Sequence, residues 1–289
     1  MSAYDEICVE AAKKAEKALE DRLNADILYF NAPIYDAVFP PFREAVERLA
    51  AREDKNPVIA VFLTTGGGSA EVAEKIVEFA HAHYRQVYFV IPDNALSAGT
   101  IMCMAGDRIY MDSSSSLGPI DPQVPDKEGR LFIPALGYLD KMNEFIAKSK
   151  TKELSPLEYD WAMREDIGRL RLYEQARDLS ITLLKKWLVK YKFKDWTVHR
   201  THNAGQPVTL AEKEKRAEEI GNKLSDNKIW HSHGRRIGLE TLEKECRLEI
   251  DDFGRDKELQ RQIRLYSDMM THDSSLMQQG FLIHSYKAG

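Results

Sequence analysis

Between Pro57 and Asp112 the chain alternates apolar runs of strand length with helical stretches, and a tight turn of small residues follows each of the first two strands. PVIAVFL (57–63) is continuous and rich in β-branched residues, and it leads directly into TTGGGS. AEVAEKIVEFAHAHY (70–84) then has a helical period, and QVYFVIP (86–92) reads as a second strand. DNALSAG (93–99) makes a second turn, TIMCMAG (100–106) opens a short apolar helix, and DRIYMD (107–112) is a third strand. This order predicts right-handed crossovers around a largely parallel sheet, covered on both faces. In such sheets ligands sit beyond the carboxyl ends of the strands. The turns 64–69 and 93–99 both fall there, so they are expected to lie side by side.

Around this centre, 3–23 reads as a polar helix with an apolar stripe, 25–34 as a strand and 41–53 as a helix. After SSSSLGPIDPQVP (113–125) the character changes, and 134–148 is a helix entered by Pro134. Ser155, Pro156 and Glu158 form a capping box with proline at the first helical position, predicting a charged helix to about Lys190. Thr209 and Glu212 make another box, for a helix to about Leu224. The tail is polar from about 251, and 269–289 is expected to order only against a partner. The reading is therefore a core over 1–150 and a helical extension over 151–289, serving oligomerisation or substrate gating.

With 289 residues, 43% of them hydrophobic, the chain can build one sizeable core. Its 41 basic and 46 acidic residues give a formal charge of −5, which argues against a nucleic-acid binder. Cys8, Cys103 and Cys246 are too few and too scattered for a disulfide framework or a cysteine-rich metal site, and they point to the cytoplasm. The first residues lack the apolar core of a signal peptide, and no apolar run approaches the length of a membrane span.

The glycine turn is not a dinucleotide loop, because the third small residue of G-x-G-x-x-G falls on Glu71, and no G-x-x-x-x-G-K-[ST] is present. Two readings remain for GGG: a tight turn with close helix–sheet packing, or a loop presenting backbone N–H groups to developing negative charge. Ser97, at the start of the apolar helix, is either a helix cap or a nucleophile with Ala98 and Gly99 leaving room for substrate.

Taken together, VFLTTGGGS, ALSAGTIMCMAGDRIYMD and LGPIDPQ resemble the Clp/crotonase-fold serine peptidases, in the serine dehydrogenase proteinase branch related to signal peptide peptidase A. The resemblance is firm over roughly 57–125 and continues loosely to HSHGRRI (231–237). It implies an α/β fold, a Clp/crotonase-like ββα spiral core with a mostly helical C-terminal extension. It also implies that Ser97 is the nucleophile and that Gly67 or Gly68, with Ala98, supplies the oxyanion donors. Such enzymes are usually closed homo-oligomers.

The base is the open question, since a serine hydroxyl needs one. Clp proteases place a histidine soon after the serine; that position falls at Pro122, beside Asp121, and no histidine lies between 84 and 198. Peptidase A relatives use a lysine further on, which falls near Lys141, with Lys148 next. His231 and His233 are the distant alternatives, and a triad needs only spatial closeness. Asp121, held between prolines 119 and 122, is a candidate to orient the base or a turn former. Asp112 is a second candidate to orient it. KKWLVKYKFKDW (185–196) interleaves five lysines with aromatics and suits core packing with snorkelling lysines; a peripheral membrane contact is the alternative. His199 and His202 read as a solvated loop. The expectation is a cytoplasmic serine peptidase acting on polypeptide through an acyl-enzyme on Ser97, with a Ser–Lys dyad through Lys141 as the first choice and a distant histidine as the alternative base, with membrane association as an option and without metal or cofactor. The competing readings are a crotonase-like acyl-CoA hydratase or hydrolase, and an inactive scaffold subunit.

Overall fold

The computed structural model describes residues 3–125, 132–200, 204–272 and 281–288. Helix α1 (Ala3–Leu23) leads into β1 (Asp26–Asn31), α2 (Phe39–Ala50), β2 (Val58–Thr64), α3 (Ala70–His83) and β3 (Gln86–Val90). Short elements follow: β4 (Asn94–Ala95), α4 (Ala98–Cys103), β5 (Arg108–Met111) and β6 (Ser116–Leu117). A hairpin of β7 (Gln123–Pro125) and β8 (Phe132–Pro134) enters a helical arm, α5 (Ala135–Thr151), α6 (Pro156–Met163) and α7 (Ile167–Trp187). The chain closes with α8 (Leu210–Ser225), α9 (Asn227–Trp230), β9 (Ile237–Gly238), α10 (Leu239–Lys244), β10 (Asp251–Asp252), α11 (Lys257–His272) and β11 (Leu282–His284).

The main sheet has the order β10-β5-β3-β2-β1-β11, with only β11 antiparallel to its neighbour. Its strands are apolar on both faces because both are covered. Leu28, Phe30, Ile59, Val61, Leu63 and Phe89 face α2, α3, α4, α7 and α8. Ile27, Tyr29, Ala60, Phe62 and Tyr110 face the opposite layer. Helix α11 presents Leu259, Ile263, Tyr266 and Met270 to that second face at helical spacing, beside Leu19 and Leu23 of α1. Each such side chain, fully buried, contributes roughly 1.5–3 kcal/mol. A second sheet, β4-β6-β9, stands at the end where the site forms. The core is thus a ββα spiral, and the chain after it is mostly helical.

Several elements differ from the sequence reading. The helix begun at Ser155 has the expected capping box but stops at Met163. Asp166 then accepts from the N–H groups of Gly168 and Arg169 and starts α7 afresh, so a local side-chain cap overrides the helical pattern. After Trp187 the helix widens into a π-helical turn over Leu188–Lys192. The polar tail is ordered in large part within the chain itself: β10 and β11 form the two edges of the main sheet, and α11 covers one of its faces. Residues 273–280 of that tail lie outside the described residues.

Asp112 is a fold anchor. Its buried carboxylate accepts from Ser114 N–H and Oγ (2.8 and 2.6 Å), Gln260 Nε2 (2.7 Å) and Arg264 Nη2 (2.7 Å), tying β5 to α11. Burial alone would raise its pKa, but these donors outweigh burial and hold it well below the carboxylate range. A carboxyl depressed in the folded state adds stability that is present above its unfolded pKa, near 4, and lost as pH falls below that. Asp112→Asn should therefore lower stability by about 1–3 kcal/mol at neutral pH. Urea titrations should show the gap to wild type closing on acidification; a gap independent of pH would contradict the anchor.

Candidate active site

The two turns are stitched together by the backbone. Thr65 N–H donates to Asn94 O, and Leu96 N–H donates to Thr65 O, both at 3.0 Å. Of the three glycines, two are required. Gly68 has φ +146°, and a Cβ there would lie 2.0 Å from the carbonyl oxygen of Ile34. Gly67 has φ +101°, and a Cβ there would lie 2.7 Å from Ser97 Cβ. Gly66 has open space around it, so its lack of a side chain has no steric cause. The loop is clamped from β1's side by Ile34, whose N–H donates to Gly67 O and whose carbonyl accepts from Ser69 N–H, both at 2.8 Å. Nothing in the local sequence marks Ile34 for this task.

Ser97 precedes α4 with φ +52° and ψ −116°, a conformation costly for any residue with a side chain. It makes no side-chain capping bond, so the helix-cap reading does not hold. Its Oγ lies 3.3 Å from where a Gly67 Cβ would be. Gly99 lets Thr65 approach, since a Cβ would lie 2.4 Å from Thr65 Cγ2. Among the described residues, the N–H groups of Gly68 and Ala98 meet no acceptor, whereas Gly67 N–H donates to Thr65 Oγ1 at 3.1 Å. Two unpaired amides therefore flank the Ser97 turn.

The small sheet brings in distant residues. In β4 and β6, which run parallel, Ala95 faces Leu117; in antiparallel β9, Ile237 faces Leu117. The chain leaving β4 for Ser97, the chain leaving β6 for Asp121 and the chain arriving from His233 thus share one end of this sheet. There His233 Nδ1 lies 2.9 Å from Asp121 Oδ1, and the two side chains are 18% and 3% exposed. Gly118 packs against Leu96, and its N–H and carbonyl both bond Thr100 Oγ1 (2.9 and 3.0 Å), joining the Asp121 segment to α4. His231 is exposed and ends α9 in a left-handed conformation.

The lysines stand elsewhere, on α5. The Lys141 side chain is 49% exposed, pairs with Glu144 at 2.9 Å and lies over the Phe145 ring. Lys148 pairs with Glu158 (2.6 Å) and Glu144 (3.0 Å), and these carboxylates raise its pKa. The basic aromatic segment is packed inward: Trp187 and Leu188 are fully buried and Phe193 nearly so. Lys185, Lys186 and Lys194 pair with Glu218, with Glu74 and Glu78, and with Asp107, respectively. Burial lowers the pKa of Lys192. His199 meets Glu212 at 3.2 Å, and His202 lies outside the described residues. Among the described residues no cluster of three or more histidine, cysteine or acidic side chains is arranged to hold a metal, and no helix is long and apolar enough to cross a membrane.

Residues 17–148 match the family model of the ClpP-like SDH-type serine proteinases. That stretch, a little under half of the chain, is similar to this family. Two uncharacterized proteins of Methanocaldococcus jannaschii are similar to it. MJ0137 is 32% identical over 171 residues, 56% of this chain and 58% of the relative. MJ1495 is 29% identical over 98 residues, 34% of each chain. The chain therefore spans less than two thirds of either relative. Two structures of the 1510-N membrane-bound stomatin-specific protease also align. A serine-to-alanine mutant has a TM-score of 0.46 and 14% identity over 80% of this chain and 81% of its own. A lysine-to-alanine mutant with a substrate peptide has a TM-score of 0.45 and 15% identity over 77% and 72%.

The contact between Gly67 and Ser97 makes a direct prediction. Gly67→Ala should displace the serine turn and cut labelling of Ser97 by a fluorophosphonate at least ~10-fold, read by intact mass, while Gly66→Ala leaves it near wild type. Equal labelling of the two variants would contradict this placement.

Proposed function

We propose that the chain is a serine peptidase acting on polypeptide, with Ser97 as nucleophile and His233, oriented by Asp121, as the base. The observation that carries this is Ser97 itself: a strained, uncapped serine whose turn is flanked by two unpaired amides. Strain of this kind is retained where it positions a reacting group. Asp121 accepts from His233 Nδ1–H, which leaves Nε2 with its lone pair to receive the Ser97 proton.

In this mechanism Ser97 Oγ attacks the peptide carbonyl carbon while His233 takes its proton. The Gly68 and Ala98 N–H groups hold the oxyanion, helped by the amide end of α4. Collapse breaks the C–N bond, His233 returns the proton to the departing amine, and water then cleaves the acyl ester by the same route. Lys141 is the competing base. It would have to leave its pair with Glu144 and lose its proton before it could act.

A second copy of this chain completes the proposal. Leu157, Tyr159, Trp161 and Met163 of α6, with Ile167 of α7, are all at least half exposed, and α6 buries no residue of its own. Leu157 and Trp161 lie on one side of α6 and Tyr159 and Met163 on the other, and exposed apolar side chains at this density mark an interaction element. Light scattering should give a mass that is a multiple of the protomer and that falls toward one protomer in Trp161→Glu; an unchanged mass would remove α6 from the interface.

For the chemistry, wild type, Ser97→Ala, His233→Ala and Lys141→Ala are treated with a fluorophosphonate. The expected result is one adduct on wild type, none in Ser97→Ala, and a labelling rate lowered ~100-fold or more in His233→Ala, with Lys141→Ala close to wild type. Loss in Lys141→Ala with His233→Ala intact would move the base to the lysine. No adduct on wild type would favour the scaffold reading.

A further inference from the structure

We infer that the C-terminal segment 281–288 is a positioning strap for the Ser97 site, anchored by Glu16 and acting on the glycine loop through β1 and Tyr35. Its catalytic consequence rests on the peptidase reading above; its mechanical part does not.

The anchor is a carboxylate almost wholly buried, with Glu16 only 1% exposed. Burying a carboxylate is costly unless its oxygens are satisfied. Here the strap supplies most of the donors. Oε1 accepts from Ser285 Oγ at 3.0 Å and from Lys287 N–H at 3.2 Å. Oε2 accepts from Tyr286 N–H at 3.2 Å and from Tyr266 Oη of α11 at 2.8 Å. Lys287 Nζ meets Glu20 at 2.6 Å, and Arg52 and Arg48 donate to the carbonyls of Lys287 and Ala288 at 3.1 and 3.3 Å. An incidental surface tail has no need of two buried acids from α1.

From this anchor a continuous path leads to the oxyanion loop. Upstream of Ser285, β11 pairs His284, Ile283 and Leu282 with Tyr29, Phe30 and Asn31 of β1. Because the pairing is antiparallel, the strap's leading residues lie at the carboxyl end of β1, on the side of the site. Phe281 there packs edge-on against Tyr35, with ring centroids 6.4 Å apart. Between Asn31 and Tyr35 run Ala32, whose N–H donates to Thr64 O at 3.2 Å, and Ile34, whose backbone grips Gly67 and Ser69. Gly68, the proposed oxyanion donor, lies directly against the Ile34 carbonyl. The strap therefore braces the strand end that sets the position of the Gly68 amide. Without it, β1 would be a free sheet edge ending at the site.

The test uses the full-length chain with Glu16→Gln, which turns one acceptor oxygen into a donor facing donors, and Ser285→Ala, a milder variant that carries the test should the first fail to fold. Amide exchange is followed at 282–287 and at Ile34 and Ser69, together with the saturation kinetics of Ser97 labelling by a fluorophosphonate. Glu16→Gln should speed exchange ~10-fold or more both in the strap and at Ile34 and Ser69. It should also lower the limiting labelling rate ~10-fold with little change in half-saturation, and Ser285→Ala should move the same readouts less. Faster exchange confined to 282–287, no change in the strap, or an unaltered limiting rate despite loosening at Ile34 and Ser69 would each overturn the inference. If wild type takes no label, the peptidase reading fails, and the coupling of exchange between strap and loop decides the strap on its own.

Discussion

The carbonyl oxygen of Ile34 stands where a side chain on residue 68 would begin, and the site depends on that approach. Because Gly68 is bare, the first strand grips the loop after the second strand with two backbone hydrogen bonds. Because Gly67 is bare, the same loop touches Ser97 after the third. Three consecutive strands of the main sheet are thereby fixed at their carboxyl ends to within backbone contact. What is left over is one unpaired amide on each side of a serine held in a strained conformation. The fold pays for that strain with packing elsewhere, since α4 behind Ser97 is buried throughout.

Buried acids carry the rest of the architecture, and they share a pattern. Glu16, Asp112 and Asp121 belong to the first half of the chain, and each takes donors from the second. Glu16 receives Tyr266 and residues 285–287; Asp112 receives Gln260 and Arg264; Asp121 receives His233. An unpaired buried carboxylate is strongly unfavourable, so each fixes one place where the later chain must return. Helix α11, the C-terminal strap and the histidine loop are all located in this way. The result is a site whose serine and proposed base lie far apart in sequence but beyond the same end of one small sheet.

The parts that could be read from sequence were those in which local chemistry determines structure. Continuous apolar runs of strand length, the helical period of 70–84 and the capping boxes at Ser155 and Thr209 all appear as expected. Ser97 stood out through the motifs that resemble a peptidase family rather than through its local pattern, which suits a helix cap equally well; the structure gives it a strained conformation with no capping bond. The clamp by Ile34 was not, since it acts through the backbone and any side chain would have served. The pairing of His233 with Asp121 was not fixed by spacing either; Asp121 looked like a turn former and His233 like half of an HxH pair. The polar tail concealed β10 and β11, because strands of two and three residues completing a sheet edge have too short a pattern to stand out; the apolar stripe of α11, at helical spacing, was present in the sequence and went unread among its charges.

In the proposed site an activated Ser97 works between two backbone amides with His233 at its oxygen. The most direct measurement is a crystal structure of the fluorophosphonate-treated protein. The phosphonyl group should be bonded to Ser97 Oγ, with its oxygen within hydrogen-bond distance of the Gly68 and Ala98 nitrogens and His233 Nε2 beside the ester oxygen. A phosphonyl oxygen turned away from both amides, or a lysine of α5 at Ser97 with His233 remote from it, would rule out this arrangement.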